Sequence, residues 1–138
     1  MPNPLQVTFD CTDAPAMARF WSAAVGYQPQ PPPPGFTTWE DFGRAQGVPE
    51  EMMDAWAGAV DPAGTGPRFF FQRVPEAKSA KNRLHLDLHL TGRPGAGGLE
   101  DEVARLQGLG AERLDEHDEM GTHWVVMRDI EGNEFCVA

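Results

Sequence analysis

Residues 84–92 read LHLDLHLTG and residues 5–13 read LQVTFDCTD. Both alternate apolar and polar residues with period two, the pattern of a strand with one buried face. Laid one above the other, Leu5, Val7, Phe9 and Cys11 match Leu84, Leu86, Leu88 and Leu90. Gln6, Thr8 and Asp10 match His85, Asp87 and His89. A match that continued beyond these strands would make the chain an internal duplication, and the flanking sequence does continue it.

A helix is predicted after each strand. After the first, Asp13 suits the N-cap and Pro15 the first turn. Met17, Phe20, Trp21, Ala24 and Val25 fall at helical spacing, and Gly26 is a natural stop. After the second, RPGAGG (93–98) makes a looser connection. Leu99, Val103, Leu106 and Leu109 form an apolar stripe, Glu100, Asp101 and Glu102 suit the helix N-terminus, and Gly110 ends it.

The match then returns. Trp56-AGAV-Asp61-PA-Gly64 has the same frame as Trp124-VVMR-Asp129-IE-Gly132. Each frame reads as a strand and a tight turn, leading into a further strand over 68–74 or 134–138. The apolar runs FFF (69–71) and FCV (135–137) support those last strands. Each half is thus predicted to be strand, helix and three strands. The halves differ by an insertion at 28–55. Its proline run is stiff polyproline II, TTW (37–39) reads as a short strand, and PEEMMDA (49–55) as one or two helical turns starting at Pro49.

The bulk numbers fit one folded domain. The chain has 138 residues, 41% hydrophobic and 23% charged. Eleven basic against twenty-one acidic residues give a net charge of -10, which repels nucleic acid and anionic membranes. Cys11 and Cys136 lie at opposite ends of the chain, with neither a disulfide framework nor a zinc-knuckle spacing. No signal peptide and no membrane span is visible, so the sequence reads as cytoplasmic.

A duplicated strand-helix-three-strand module of this length resembles the vicinal oxygen chelate superfamily. The strings FDCTDAPAMARFWSAAVGY, GPRFFFQRVPEAKSAKNRLHLDL and DIEGNEFCV are similar to glyoxalase-like domain proteins of that superfamily. The resemblance implies an α+β fold of two tandem βαβββ modules forming an open eight-stranded half-barrel with helices on its convex side. It implies one domain: module one at about 4–75, a linker at 76–82 and module two at about 83–138. A homodimer is common among such relatives, and the sequence leaves open whether modules swap between chains. Function does not follow from this fold, which carries many chemistries.

Superfamily enzymes bind a divalent metal through the first and last strand of each module. The matching positions here are Gln6, Arg68, His85 and Glu134. His85 and Glu134 are good ligand types for Zn, Fe, Mn, Ni or Co, and Gln6 offers a carbonyl oxygen. Arg68 cannot bind a metal and repels one. On balance the residues favour a cleft without a metal, with His85 a wall residue bonded to Glu134 or Gln6 and Arg68 paired with Glu134. Asp87 and His89 continue the same polar face. At about 6.6 Å per two residues, one strand alone is a poor metal motif.

Trp39 and Phe42, in the insertion, are candidates to cover an apolar or planar ligand, with Arg68 and Gln72 as polar anchors and Asp87 and His89 beside them. Trp56 and Trp124 are repeat partners, read as packing residues. His117, Asp118 and Glu119 read as a solvated loop, and KSAKNR (78–83) as a linker that doubles as an anion-steering patch. Two functions follow. One is a metal-dependent lyase, isomerase or dioxygenase using His85, Glu134 and Gln6. The other is metal-free sequestration of a small molecule or antibiotic, as in bleomycin-resistance proteins.

Overall fold

The computed structural model describes residues 1–90 and 98–138. The described residues form an α+β fold with eight strands in two four-stranded sheets, three α-helices and one 3-10 turn. The chain divides into two compact units, Met1–Ala77 and Lys78–Ala138.

In the first unit, β1 (Gln6–Cys11) leads into α1 (Ala14–Val25). The Asp13 carboxylate accepts from the Ala16 N–H at 3.0 Å, so the expected N-cap is formed. Gly26 ends the helix at φ 78°, a left-handed conformation that suits glycine. Then come β2 (Gln28–Pro29), α2 (Trp39–Ala45), a 3-10 turn (Glu50–Met52), β3 (Trp56–Val60) and β4 (Arg68–Arg73). The sheet order is β1-β4-β3-β2, with β1 and β4 parallel and β3 antiparallel to β4.

One face of this sheet is a core. Phe9 packs on Trp21 (centroids 5.2 Å apart) and Phe71 (5.0 Å), and Phe69 meets Trp21 edge-on. Met17, Phe20, Trp21 and Ala24 of α1 are buried, as their spacing predicts. Residues paired across strands share a face, so Gln6 with Arg68, Gly58 with Phe70, and Trp56 with Gln72 stand on the opposite side.

The second unit repeats the plan. It holds β5 (Asp87–Leu88), α3 (Leu99–Gly108), β6 (Glu112–Glu119), β7 (Thr122–Arg128) and β8 (Glu134–Val137), in the order β5-β8-β7-β6. The connection expected at 93–98 lies, except for Gly98, outside the described residues. Val103 and Leu106 are buried, and so is Glu102, whose carboxylate takes two bonds from the Arg105 guanidinium.

The repeated Trp…Asp…Gly frame has a physical cause. Between β3 and β4, the Asp61 carboxylate accepts from the N–H groups of Ala63, Thr65 and Gly66 and from the Thr65 hydroxyl. Between β7 and β8, Asp129 accepts from the N–H groups of Glu131 and Asn133 and from the Asn133 amide. Gly64 (φ 72°) and Gly132 (φ 88°) complete the same turn.

Three local expectations change. TTW is not a strand: the Thr38 hydroxyl accepts from the Asp41 N–H at 3.1 Å and caps α2, which begins at Trp39. Residues 117–119 are not a loop but the end of β6, closed onto β7 by a two-residue turn with positive φ at Met120 and Gly121. The strand expected from residue 84 is shorter than its twin. Its bonds to β8 run from the Leu86 carbonyl to the Leu90 N–H, and Leu84, like Leu5, is exposed.

Candidate functional site

The polar face of the first sheet centres on Arg68. Its Nε donates to Gln30 Oε1 at 2.7 Å and its Nη1 to Gln6 Oε1 at 2.8 Å. Its guanidinium carbon lies 4.8 Å from the centroid of the Phe70 ring, a cation–π contact. Two amide oxygens thus orient the fork without neutralising it. Among the described residues no carboxylate pairs with Arg68, and Nη2 has no partner.

The insertion builds a wall beside this cation. The Trp39 indole N–H donates to the Gln30 carbonyl at 2.8 Å, so Gln30 ties Trp39 and Arg68 together. Phe42 stacks edge-on against Trp39 and Phe36 and supports that wall from within the insertion. A cavity of ≈ 330 Å³ opens here, lined by Gln30, Trp39, Trp56, Gly58, Arg68 and Phe70 among others. Trp39 is 40% and Trp56 47% exposed, high values for large rings in a folded domain. Gly58 makes the arrangement sterically feasible: a Cβ there would lie 2.4 Å from Gln30 Oε1 and 3.3 Å from Arg68 Nη2.

Of the expected cleft residues, Trp39 and Arg68 line this cavity. Phe42 and Gln72 do not; Gln72 instead donates to Asp10 Oδ1 at 2.6 Å on the same sheet face. Sequence reasoning missed Gln30 and Gly58 and read Trp56 as a packing residue. No motif marks Gln30, which sits among prolines, and only the strand pairing shows that it faces Gly58.

The positions implied for a metal are committed to other partners. Gln6 gives its amide oxygen to the Arg68 cation, which opposes a second cation at that atom. Glu134 accepts from the Asn82 N–H at 3.0 Å and pairs with Lys78 Nζ at 3.1 Å. Those contacts, the Asn82 bond foremost, hold its carboxyl at about 2, well below the usual range. Lys78 also donates to the Ala80 carbonyl. His85 turns to Asp87 instead, Nδ1 to Oδ1 at 3.2 Å. His89, just past β5, is exposed. Gln6 and Glu134, as they stand, do not fit a bound ion, and no reaction step follows through one.

Elsewhere in the second unit, His117 stacks on Trp124 (5.0 Å, 19°) and His123 meets Glu116 at 2.6 Å, so both histidines are held on the hairpin.

The sequence pattern of a family described as "Glyoxalase-like domain" matches residues 6–138. No curated protein matches the chain. Among solved structures, a fosfomycin resistance protein, FosX, from Listeria monocytogenes superposes with a TM-score of 0.65 at 11% identity, covering 99% of this chain and 90% of that one. That protein was a point mutant complexed with Mn(II) and 1S,2S-dihydroxypropylphosphonic acid. A glyoxalase/bleomycin resistance protein/dioxygenase family enzyme from Burkholderia phytofirmans PsJN gives 0.61 at 16% identity, covering 96% and 94%. A possible glyoxalase from Bacillus cereus gives 0.62 at 12% identity, covering 99% and 98%. At these identities the likeness concerns the fold alone. With the family match spanning nearly the whole sequence, the chain belongs to the glyoxalase-like domain family of the vicinal oxygen chelate superfamily.

Proposed function

We propose that the protein binds a small planar anion in the cavity of its first module, holding the charge with Arg68 and the flat body between Trp39 and Trp56. The observation that carries this is the guanidinium itself. A half-buried cation held by two neutral amide oxygens, with no carboxylate partner among the described residues, suits a ligand's negative charge. Its Nη2 donors suit a carboxylate, phenolate or phosphonate oxygen. Each charge-assisted bond of that kind contributes about 1.5–3 kcal/mol. The exposed indole faces supply apolar contact.

This favours sequestration or transport of a small molecule over metal-dependent isomerase, lyase or dioxygenase chemistry through Gln6 and Glu134. The partner class is a small molecule, not nucleic acid, given the acidity of the chain. No helix among the described residues is long and apolar enough to cross a membrane, and a cytoplasmic protein acting as a homodimer is consistent with the reading.

The test is tryptophan fluorescence of the purified chain titrated with benzoate, salicylate, naphthoate and phenylphosphonate. Saturable quenching that Trp39→Phe reduces supports the proposal. If no anion of the panel gives saturable quenching at millimolar concentration, the reading fails.

A further inference from the structure

The strand ladder of the second unit gathers three donors of different kinds outside the Arg68 cavity. Asp87 of β5 stands directly opposite Cys136 of β8 in the parallel register. His85 lies two residues before Asp87 and so points to the same face. The ligand atoms of His85, Asp87 and Cys136 all lie within 4.8 Å of one another. From this convergence we propose that His85, Asp87 and Cys136 form a site for one borderline-soft divalent cation of the zinc class.

One imidazole, one carboxylate and one thiolate match the donor preferences of zinc, and the two anionic donors balance its charge. Bonds of about 2.0–2.3 Å require a compact set of donors, and these atoms already lie within 4.8 Å of one another. His85 and Asp87 are exposed, so their side chains have room to rotate toward an ion. Their exposure also leaves the fourth coordination position to water. Without an ion His85 Nδ1 meets Asp87 Oδ1 at 3.2 Å, and Cys136 stands opposite Asp87 across the ladder. Metal binding displaces the thiol proton to solvent and replaces the His85–Asp87 contact with metal–ligand bonds.

The set differs from the one the superfamily resemblance implies. It shares His85 but replaces Gln6 and Glu134, which are held by Arg68 and by Lys78 with Asn82. Alternate residues of one strand supply two donors, His85 and Asp87, and the neighbouring strand supplies the third. Cys11, the other free cysteine, is buried in the first unit and does not compete.

The experiment is titration of the full-length chain, reduced and without a histidine tag, with Co²⁺ and then Zn²⁺. Expected is one equivalent of Co²⁺ with a thiolate-to-cobalt charge-transfer band, bleached by Zn²⁺. Cys136→Ser abolishes the band, and Asp87→Asn and His85→Gln weaken Co²⁺ binding at least tenfold. Glu134→Gln leaves it unchanged. Circular dichroism checks each fold, and if Cys136→Ser unfolds, the other two variants carry the test. The proposal is overturned by the absence of a band, by a band indifferent to Asp87→Asn and His85→Gln, or by its loss in Glu134→Gln.

Discussion

Replacing Gly58 with alanine perturbs the site through one methyl group. The new Cβ would meet Gln30 Oε1 at 2.4 Å, far inside a non-bonded carbon–oxygen contact, and Gln30 Cβ at 3.3 Å. The Gln30 backbone cannot retreat easily, because its N–H bonds the Gly58 carbonyl at 2.9 Å. The side chain must swing away, and Arg68 then loses the bond at Nε while keeping Gln6 at Nη1. Stability should change little. Alanine in a strand gains about 0.5–1 kcal/mol over glycine. The lost bond costs up to about 1.5–3 kcal/mol, less here because both groups are partly solvated. The net shift in urea unfolding is therefore within about 1 kcal/mol. Binding should suffer more, since a guanidinium held at one nitrogen instead of two must be ordered by the ligand. An affinity loss of about tenfold, or ~1.4 kcal/mol, is expected for the tightest anion of the fluorescence panel. Unchanged affinity would refute the idea that Gln30 positions Arg68. A loss of stability well beyond 1 kcal/mol would instead mean that Gly58 is needed for the sheet.

Other perturbations separate fold from site. Asp13→Ala removes the cap on α1 and should cost about 1 kcal/mol in urea unfolding, with no change in anion affinity. Asp61 should confer pH-dependent stability. Its hydrogen bonds, that from Ala63 first, lower its pKa from 3.8 to about 2. A depressed carboxylate stabilises the fold above its unfolded value and loses that effect as pH falls through its folded value. Asp61→Ala should therefore melt below the parent at pH 7, with the gap narrowing below pH 3.8 and closing near 2. A gap independent of pH would show that the charge of Asp61 does not hold the turn. The nearby Tyr27 titrates far above this window, its hydroxyl raised by burial and by Asp61.

The duplication was legible because its signals are local. Alternation in the first strand of each half, the cap at Asp13, the stop at Gly26 and the turn carboxylates Asp61 and Asp129 each act within a few residues of chain. The misread segments involve choices that local pattern leaves open. Thr38-Trp39-Glu40-Asp41 carries both an aromatic strand signal and a helix-capping signal, and the bond from Asp41 to Thr38 decides for the helix. His117, Asp118 and Glu119 are too polar to resemble a strand, and their pairing with Trp124, His123 and Thr122 makes them one.

The site was half legible. Arg68 stood out because it occupies a position where superfamily enzymes place a ligand, and Trp39 because it has no partner in the second half. Their link through Gln30 was not legible, since it joins residues far apart in sequence across an edge strand. Nor was the approach of Cys136 to Asp87 and His85, because a sequence shows alternation along a strand but not the register between strands.

The proposed function requires above all that Arg68 hold a ligand's negative charge. Isothermal titration of the parent and of Arg68→Met with benzoate and with the neutral benzamide tests it most directly. The parent should prefer benzoate by at least tenfold, and Arg68→Met, folded by circular dichroism, should lose that preference. Equal binding of the two compounds by the parent, or a preference that survives in Arg68→Met, would contradict it.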